Sequence, residues 1–317
     1  MVKILVTGAT GGIGRTLVPL LASRGLEVVA SGRNGEAGRA LAGPGVRFEP
    51  LDLVEGDIAP LVAGAPIVVH LAARSSPWGP QQRFHADNVV ATARLVEAAA
   101  RAGAARFVYA STPAIFSERR HRLDLRNAAA PATRPANAYA LTKLEAERIV
   151  LGERRMSTVV LRPSAVLGPD DSAILPRLMR VLSRGVLPVG NGGEALFHPT
   201  DVRDCAEAFA AAALGTFSGA ANVAGREPIR VVEMARALAV RLGLALRILR
   251  VPEPALHALA TAAELAGRAA GREPPLTRYS VASLSWSRSF DLSETSALLG
   301  WSPGFGPMDA LEHAVRR

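Results

Sequence analysis

The chain is short of several residue types, and each shortage excludes something. Its 317 residues include one cysteine, Cys205, so no internal disulfide can form and a reducing compartment suits it. A lone cysteine in such a chain reads as a small buried apolar residue. No stretch offers the roughly 20 uninterrupted apolar residues of a membrane-spanning helix. The nearest, at 255–271, is interrupted by His257, Glu264 and Arg268 and reads as a packed helix. An apolar strand begins almost at the first residue, so no secretory leader, no membrane partner and a cytoplasmic location are expected. The arginines behind the net charge of +9 are scattered, with no basic block, aromatic-interleaved stripe or zinc-ligand spacing. Nucleic acid is therefore not an expected partner, and a solvated arginine-rich surface is. Metal is not expected either, because His70 and His198 lack companion ligands at usable spacing.

What is present alternates regularly. Apolar strands near 2–7, 26–33, 46–53, 66–73, 105–112 and 157–167 are separated by helical or loop segments, including helices near 84–102 and 137–153. This alternation predicts an α/β fold, a Rossmann-type doubly wound parallel sheet. Residues 1–166, joined again by 198–224, are expected to form the dinucleotide-binding domain. Segments 167–197 and 225–317, with prolines at 252, 254, 274, 275 and 303, are expected to form a smaller, mostly helical lobe over the carboxyl ends of the strands. Ligands bind there in open α/β sheets.

The first strand runs into Thr7-Gly8-Ala9-Thr10-Gly11-Gly12-Ile13-Gly14 and then a helix whose apolar stripe is Ile13, Leu17, Leu20 and Leu21. Gly8 permits a tight turn, Gly11 admits a pyrophosphate, and Gly14 lets helix and strand pack closely, with the helix N-terminus facing the anion. The second strand ends in Ser31-Gly32-Arg33-Asn34, without the acid that usually holds the ribose hydroxyls of NAD. Arg33 is placed for a 2′-phosphate, so NADP is the expected cofactor, with NAD the alternative.

Only Lys3 and Lys143 are lysines among 37 basic residues, and there are three tyrosines. Tyr139 precedes Lys143 by four, so both project from one helix face. A phenol near pKa ~10 is a poor acid/base at neutral pH, and an adjacent ammonium is expected to lower it. The ammonium can also donate to a nucleotide ribose, a task for which its compact charge is suited.

TGATGGIG at 7–14, LDL at 51–53, HLAA at 70–73, YAST at 109–112 and YALTK at 139–143 together resemble the extended short-chain dehydrogenase/reductase superfamily. The motifs keep family order over nearly the whole chain. The resemblance implies a cofactor site of Gly8, Thr10, Gly11, Gly12, Ile13, Gly14, Arg33, Asp52, Leu53, Leu71, Ala72, Ala73, Tyr139, Lys143 and Pro163. It implies that Asn88 ties the central helix to the strand ends. Catalysis falls to Tyr139 as acid/base, Lys143 as its partner, and Thr112 as the hydroxyl that positions the substrate oxygen, with Ser111 the alternative.

Within the superfamily, nucleotide-sugar epimerases carry an arginine where this chain has Glu194, and a carboxylate there is expected to repel a diphosphate. The stretches 70–79 and 276–303 are instead similar to the 3β-hydroxysteroid dehydrogenase-like branch. That branch implies hydride transfer between a nicotinamide and a carbonyl or secondary alcohol of a bulky apolar small molecule. Ser75, Trp78, Phe84, Ile115, Phe116, His198 and Tyr279 are then the expected substrate contacts. A homodimer through the helices near 84–102 and 137–153 is also implied. The rivals are a nucleotide-sugar epimerase/dehydratase and a non-catalytic NADP-sensing protein, the latter disfavoured by the Tyr–Lys pair.

Overall fold

The computed structural model describes residues 2–316. Seven strands form one parallel sheet: β1 (Lys3–Thr7), β2 (Glu27–Gly32), β3 (Val46–Pro50), β4 (Ile67–His70), β5 (Arg106–Ala110), β6 (Ser157–Pro163) and β7 (Gly219–Val223). Their order is β3-β2-β1-β4-β5-β6-β7, so the chain reverses its direction of winding between β1 and β4. A crevice opens at that switch point, beyond the carboxyl ends of the strands. Both sheet faces are covered, which is why β1 and β5 read as nearly continuous apolar runs.

Helices α1 (Gly12–Ser23), α2 (Ala91–Arg101), α3 (Ala138–Gly152), α4 (Leu175–Leu182) and α5 (Val202–Leu214) follow in chain order. Leu17 and Leu21 of α1 pack with Ala206, Phe209 and Ala213 of α5 on one face of the sheet. Leu95 and Ala99 of α2 pack with Ala146 and Val150 of α3 on the other. A third apolar cluster unites α4 with α6 (Val231–Arg241) and α9 (Pro307–Val315) through Leu175, Leu182, Leu238 and Leu311. Two further helices, α7 (Glu253–Ala269) and α8 (Arg278–Ser285), meet through Leu256, Ala260 and Val281.

Three features lay beyond the sequence pattern. β7, Gly219–Val223, has only weak strand character and owes its place to pairing along β6. The strand Arg288–Phe290 pairs in parallel with Arg122–Leu125, which carries the end of the lobe back toward the loop after β5. The approach to α2 contains a π-helical stretch, His85–Val90, and Asn88 sits within it. Such widened turns concentrate at functional sites.

Candidate active site

Gly8 and Gly14 show why the loop needs glycine. Gly8 has φ +72°, and a Cβ there would stand 2.5 Å from Ala72 N, inside the backbone that leaves β4. A Cβ on Gly14 would stand 2.5 Å from Gly8 O. The loop is thus folded on itself and pressed on the neighbouring strand, leaving the α1 N-terminus at the cleft. No side chain caps that terminus and no acid sits in its first turn. Its free N–H groups and positive dipole end suit a pyrophosphate. These features fit the nicotinamide dinucleotide that the fold implies. Every residue expected at the cofactor, from Gly8 through Pro163, lines one cleft of about 1040 Å³. That exceeds the space a single drug-sized ligand needs, so a cofactor and a substrate fit together.

Arg33 is 60% exposed at the end of the cleft beside β2, with Nη1 3.9 Å from Asp52 and 3.8 Å from Asp87. Asp52 Oδ1 accepts the Val54 N–H at 2.8 Å, which fixes the carboxylate at the turn after β3.

At the opposite end Thr112, Tyr139 and Lys143 share the cleft wall. The Asn137 side chain caps α3 by accepting from Ala140 N at 2.8 Å, which fixes where Tyr139 emerges. Burial pushes the Tyr139 phenol up to about 12, and a hydrogen bond with Thr112 pulls the other way. Lys143 is not among the causes. It is 2% exposed, and burial lowers its ammonium to about 7, opposed by Glu147. Its Nζ donates to Ala110 O and lies 4.1 Å from the centre of the Tyr109 ring. Desolvation is the larger of the effects on the phenol, so it sits above its ordinary value and keeps its proton at neutral pH, and the expected lowering by Lys143 is not seen.

The two strand-end hydroxyls divide. Ser111 Oγ donates to Glu147 at 2.6 Å, and Glu147 also receives Arg162 through two guanidinium nitrogens. This pair is almost fully enclosed, 3% and 6% exposed at the side chains. Ser111 is thereby committed to a buried charge network, whereas Thr112 Oγ1 accepts from Ala114 N at 3.2 Å and stands close enough to Tyr139 to oppose the rise of its phenol.

Beneath the cleft, at the end of β4, Thr92 Oγ1 donates to Asn88 O at 2.6 Å, so it must accept from His70 Nε2, 3.0 Å away. His70 Nδ1 then accepts from Thr7 Oγ1 at 2.7 Å. The ring is held neutral, and burial followed by the nearby Lys143 lowers it to about 3. Asn88 accepts from Arg74 N at 2.7 Å and donates to Thr142 Oγ1 at 3.0 Å, joining the strand end after β4 to the residue beside Lys143.

The substrate half differs from expectation. Ser75, His198 and Tyr279 line the cleft, but Trp78, Phe84 and Phe116 do not. Phe84 is 1% exposed and packed under Arg74. Phe116 and Ile115 are fully enclosed, Phe116 between the guanidinium groups of Arg122 and Arg162. Trp78 faces Arg268 of α7. The core claims Phe84, Ile115 and Phe116 because it lies directly under the loops that carry them, while Trp78 stays half-buried outside it. The apolar wall comes from the lobe instead: Ile174, Leu178, Leu187, Phe197, Met234, Leu276 and Leu284. Glu194 also lies outside the cleft, 65% exposed and 2.9 Å from Arg230, so it repels nothing bound there. Arg288, unmarked in the sequence, does line it. Among the described residues no group of three or more His, Cys, Asp or Glu could hold a metal, and no helix is long and apolar enough to cross a membrane.

Fold and cleft together define a Rossmann-type dinucleotide-binding protein. More narrowly, the chain belongs to the NAD dependent epimerase/dehydratase family, whose model matches residues 4–224. It is 33% identical over 314 residues to the uncharacterized protein YbjS of Escherichia coli (strain K12), covering 95% of this chain and 93% of that one. It is 28% identical to a 2-alkyl-3-oxoalkanoate reductase of Shewanella oneidensis, over 94% and 81% of the two chains. A 3-beta-hydroxysteroid dehydrogenase of Mycolicibacterium neoaurum is 29% identical, over 99% and 90%. The solved structure of MoeE5 in complex with UDP-glucuronic acid and NAD superposes with TM-score 0.76 and 26% identity, over 98% and 97%. The chain is accordingly an NAD(P)-dependent enzyme of the extended short-chain dehydrogenase/reductase type.

Proposed function

We propose that the protein is an NADP-linked reductase acting on a ketone within a bulky apolar molecule, and on the corresponding secondary alcohol in reverse. The lobe's aliphatic wall, sharing one cleft with Thr112 and Tyr139, carries this reading. The nicotinamide supplies or receives the hydride when bound. Thr112 donates a hydrogen bond to the substrate oxygen, and Tyr139 delivers the proton to it. A phenol held near 12 is protonated at neutral pH, the form that reduction requires. Lys143 holds the cofactor ribose. The cofactor lies on residues 1–166 and 198–224, the substrate against 167–197 and 225–317. Arg33 and the lack of an acid at the end of β2 support the phosphorylated cofactor. The work takes place in a soluble, cytoplasmic homodimer paired through α2 and α3. The relatives named as a reductase and a steroid dehydrogenase accord with the substrate class.

A second reading, nucleotide-sugar epimerisation, draws on the UDP-glucuronic acid in the MoeE5 structure. One experiment separates them. Purified protein receives NADPH or NADH with long-chain and polycyclic ketones, or NAD with UDP-sugars. Net oxidation of NADPH by the ketones supports the reductase. Sugar epimers without net change in the cofactor overturn it.

A further inference from the structure

Arg288 is a cation inside the cleft that the catalytic set does not use. It begins the strand Arg288–Phe290, and its guanidinium reaches the loop after β5, where Nη1 donates to Pro113 O at 3.0 Å. Pro113 directly follows Thr112, so the guanidinium stands beside the residue assigned to the substrate oxygen. Tyr279 and Arg122 are the charged or ionisable side chains acting on it, and neither is a carboxylate. The contrast with nearby arginines is sharp: Arg162 has Glu147, Arg119 has Glu253, and Arg278 has Glu264. A partly buried guanidinium carries five N–H donors, and two neutral partners, the Pro113 carbonyl and the Tyr279 hydroxyl, satisfy only part of that capacity. Desolvating such a cation without a counter-charge is costly, so its place in a ligand cleft calls for an anion from the ligand.

Resting on the carbonyl-reductase reading above, we infer that Arg288 clasps a carboxylate a few carbons from the reacting carbonyl, making the substrate a 3-oxo acid or its 3-hydroxy counterpart. The position decides the class. A planar fork beside Thr112 is matched to a planar two-oxygen anion near the reacting carbon. The aliphatic wall of Ile174, Leu178 and Leu284 then receives the rest of the chain.

The test uses the intact protein saturated with oxidised cofactor and the stable hydroxy form of the substrate. Binding of 3-hydroxytetradecanoate and of its methyl ester is measured by calorimetry, with cofactor reduction followed in parallel. The acid is expected to bind about tenfold more tightly than the ester, the worth of one charge-assisted hydrogen bond. Arg288→Gln is expected to erase that difference by weakening the acid alone, and Arg288→Lys to restore part of it. Matching thermal melts of the variants confirm that the fold is intact. Equal binding of acid and ester, or a preference that survives in Arg288→Gln, overturns the inference while turnover of either compound leaves the reductase reading standing. A parallel arm compares UDP-glucuronate with UDP-glucose. An Arg288-dependent preference for the glucuronate, with no binding of either tetradecanoyl compound, retains the carboxylate clasp and overturns the apolar-ketone reading. No carboxylate preference in either arm overturns the clasp.

Discussion

Two regions a few residues apart handle buried charge in opposite ways. Beneath α3, Arg162 and Glu147 are enclosed together, with Ser111 and Asn127 O taking further hydrogen bonds. At the cleft wall, Lys143 is as deeply buried but holds only Ala110 O and the face of Tyr109, and Arg288 has neutral partners alone, Pro113 O and the Tyr279 hydroxyl. A cation whose donors are matched within the protein is finished chemistry. One whose donors are left open can still act on something that arrives. The comparison teaches that pairing, rather than burial or residue type, separates charges that build this fold from those that serve the cleft.

The largest effect is expected on the cleft side. Tyr139→Phe removes the proton donor and should lower kcat by about 10²–10⁴-fold, as loss of a general acid does. Thermal stability should hardly change, because the ring remains. In the parent enzyme the phenol keeps its proton through the neutral range, so a fall in ketone reduction as pH rises through about 7 should come from Lys143 losing its charge, not from Tyr139. A kcat for Tyr139→Phe equal to the parent's would remove Tyr139 from the chemistry.

On the structural side, Glu147→Leu leaves Arg162 buried without its carboxylate and should cost about 3–5 kcal/mol in denaturant unfolding. Adding Arg162→Met should recover most of that loss. A Glu147→Leu protein as stable as the parent would break the comparison, because the matched pair would then support nothing. Lys143→Met is its counterpart. Removing an ammonium that lacks a carboxylate contact should leave stability unchanged or raised, while activity falls by about 10²-fold. A large loss of stability with activity intact would move Lys143 to the structural side.

Acid titration tests the neutral core around His70 at the end of β4. His70 is lowered by burial and by Lys143 to about 3, against 6.5 for a free imidazole. Between those values the unfolded chain binds the proton that the folded chain refuses. Stability should therefore rise with pH across that window by about 1.4 kcal/mol per unit from this group, and be lost as pH falls through it. In His70→Gln that contribution to the urea-melt slope should vanish. An unchanged slope would mean that the histidine is not held neutral.

The sheet, its glycine loop and the Tyr–Lys helix were legible because each rests on local rules: an apolar run, a backbone that needs glycine, a spacing of four. β7 was not, because Gly219–Val223 is made a strand by its neighbour β6 rather than by its own residues. The site was readable where backbone builds it and unreadable where side chains of the lobe do. Phe84 and Phe116 are aromatic and near the right loops, yet nothing local tells whether such a ring turns toward the cleft or the core. Glu147 could have been found, since it lies one turn beyond Lys143 on α3. Arg288 could not: 37 basic residues less two lysines leaves 35 arginines, and only the missing carboxylate, a three-dimensional fact, singles it out.

Arg33 is the intermediate case, and the smallest expected effect. It stands 3.9 Å from Asp52 and 3.8 Å from Asp87, near enough for attraction but too far for the direct bonds that hold Arg162. Its 60% exposure lets water screen that attraction, so little is lost when the guanidinium turns to another anion. A 2′-phosphate would give it a doubly charged partner, and the exposed geometry sets the gain at the low end of a charge-assisted bond. Arg33→Gln should therefore raise KM for NADP by about tenfold and leave KM for NAD and both kcat values unchanged. Equal KM for the two cofactors in the parent, unaltered by the substitution, would place Arg33 with the surface arginines. Asp52→Asn sharpens the same point: releasing Arg33 from one of its two acids should lower KM for NADP further, and no response would mean that the guanidinium never faces the adenine ribose.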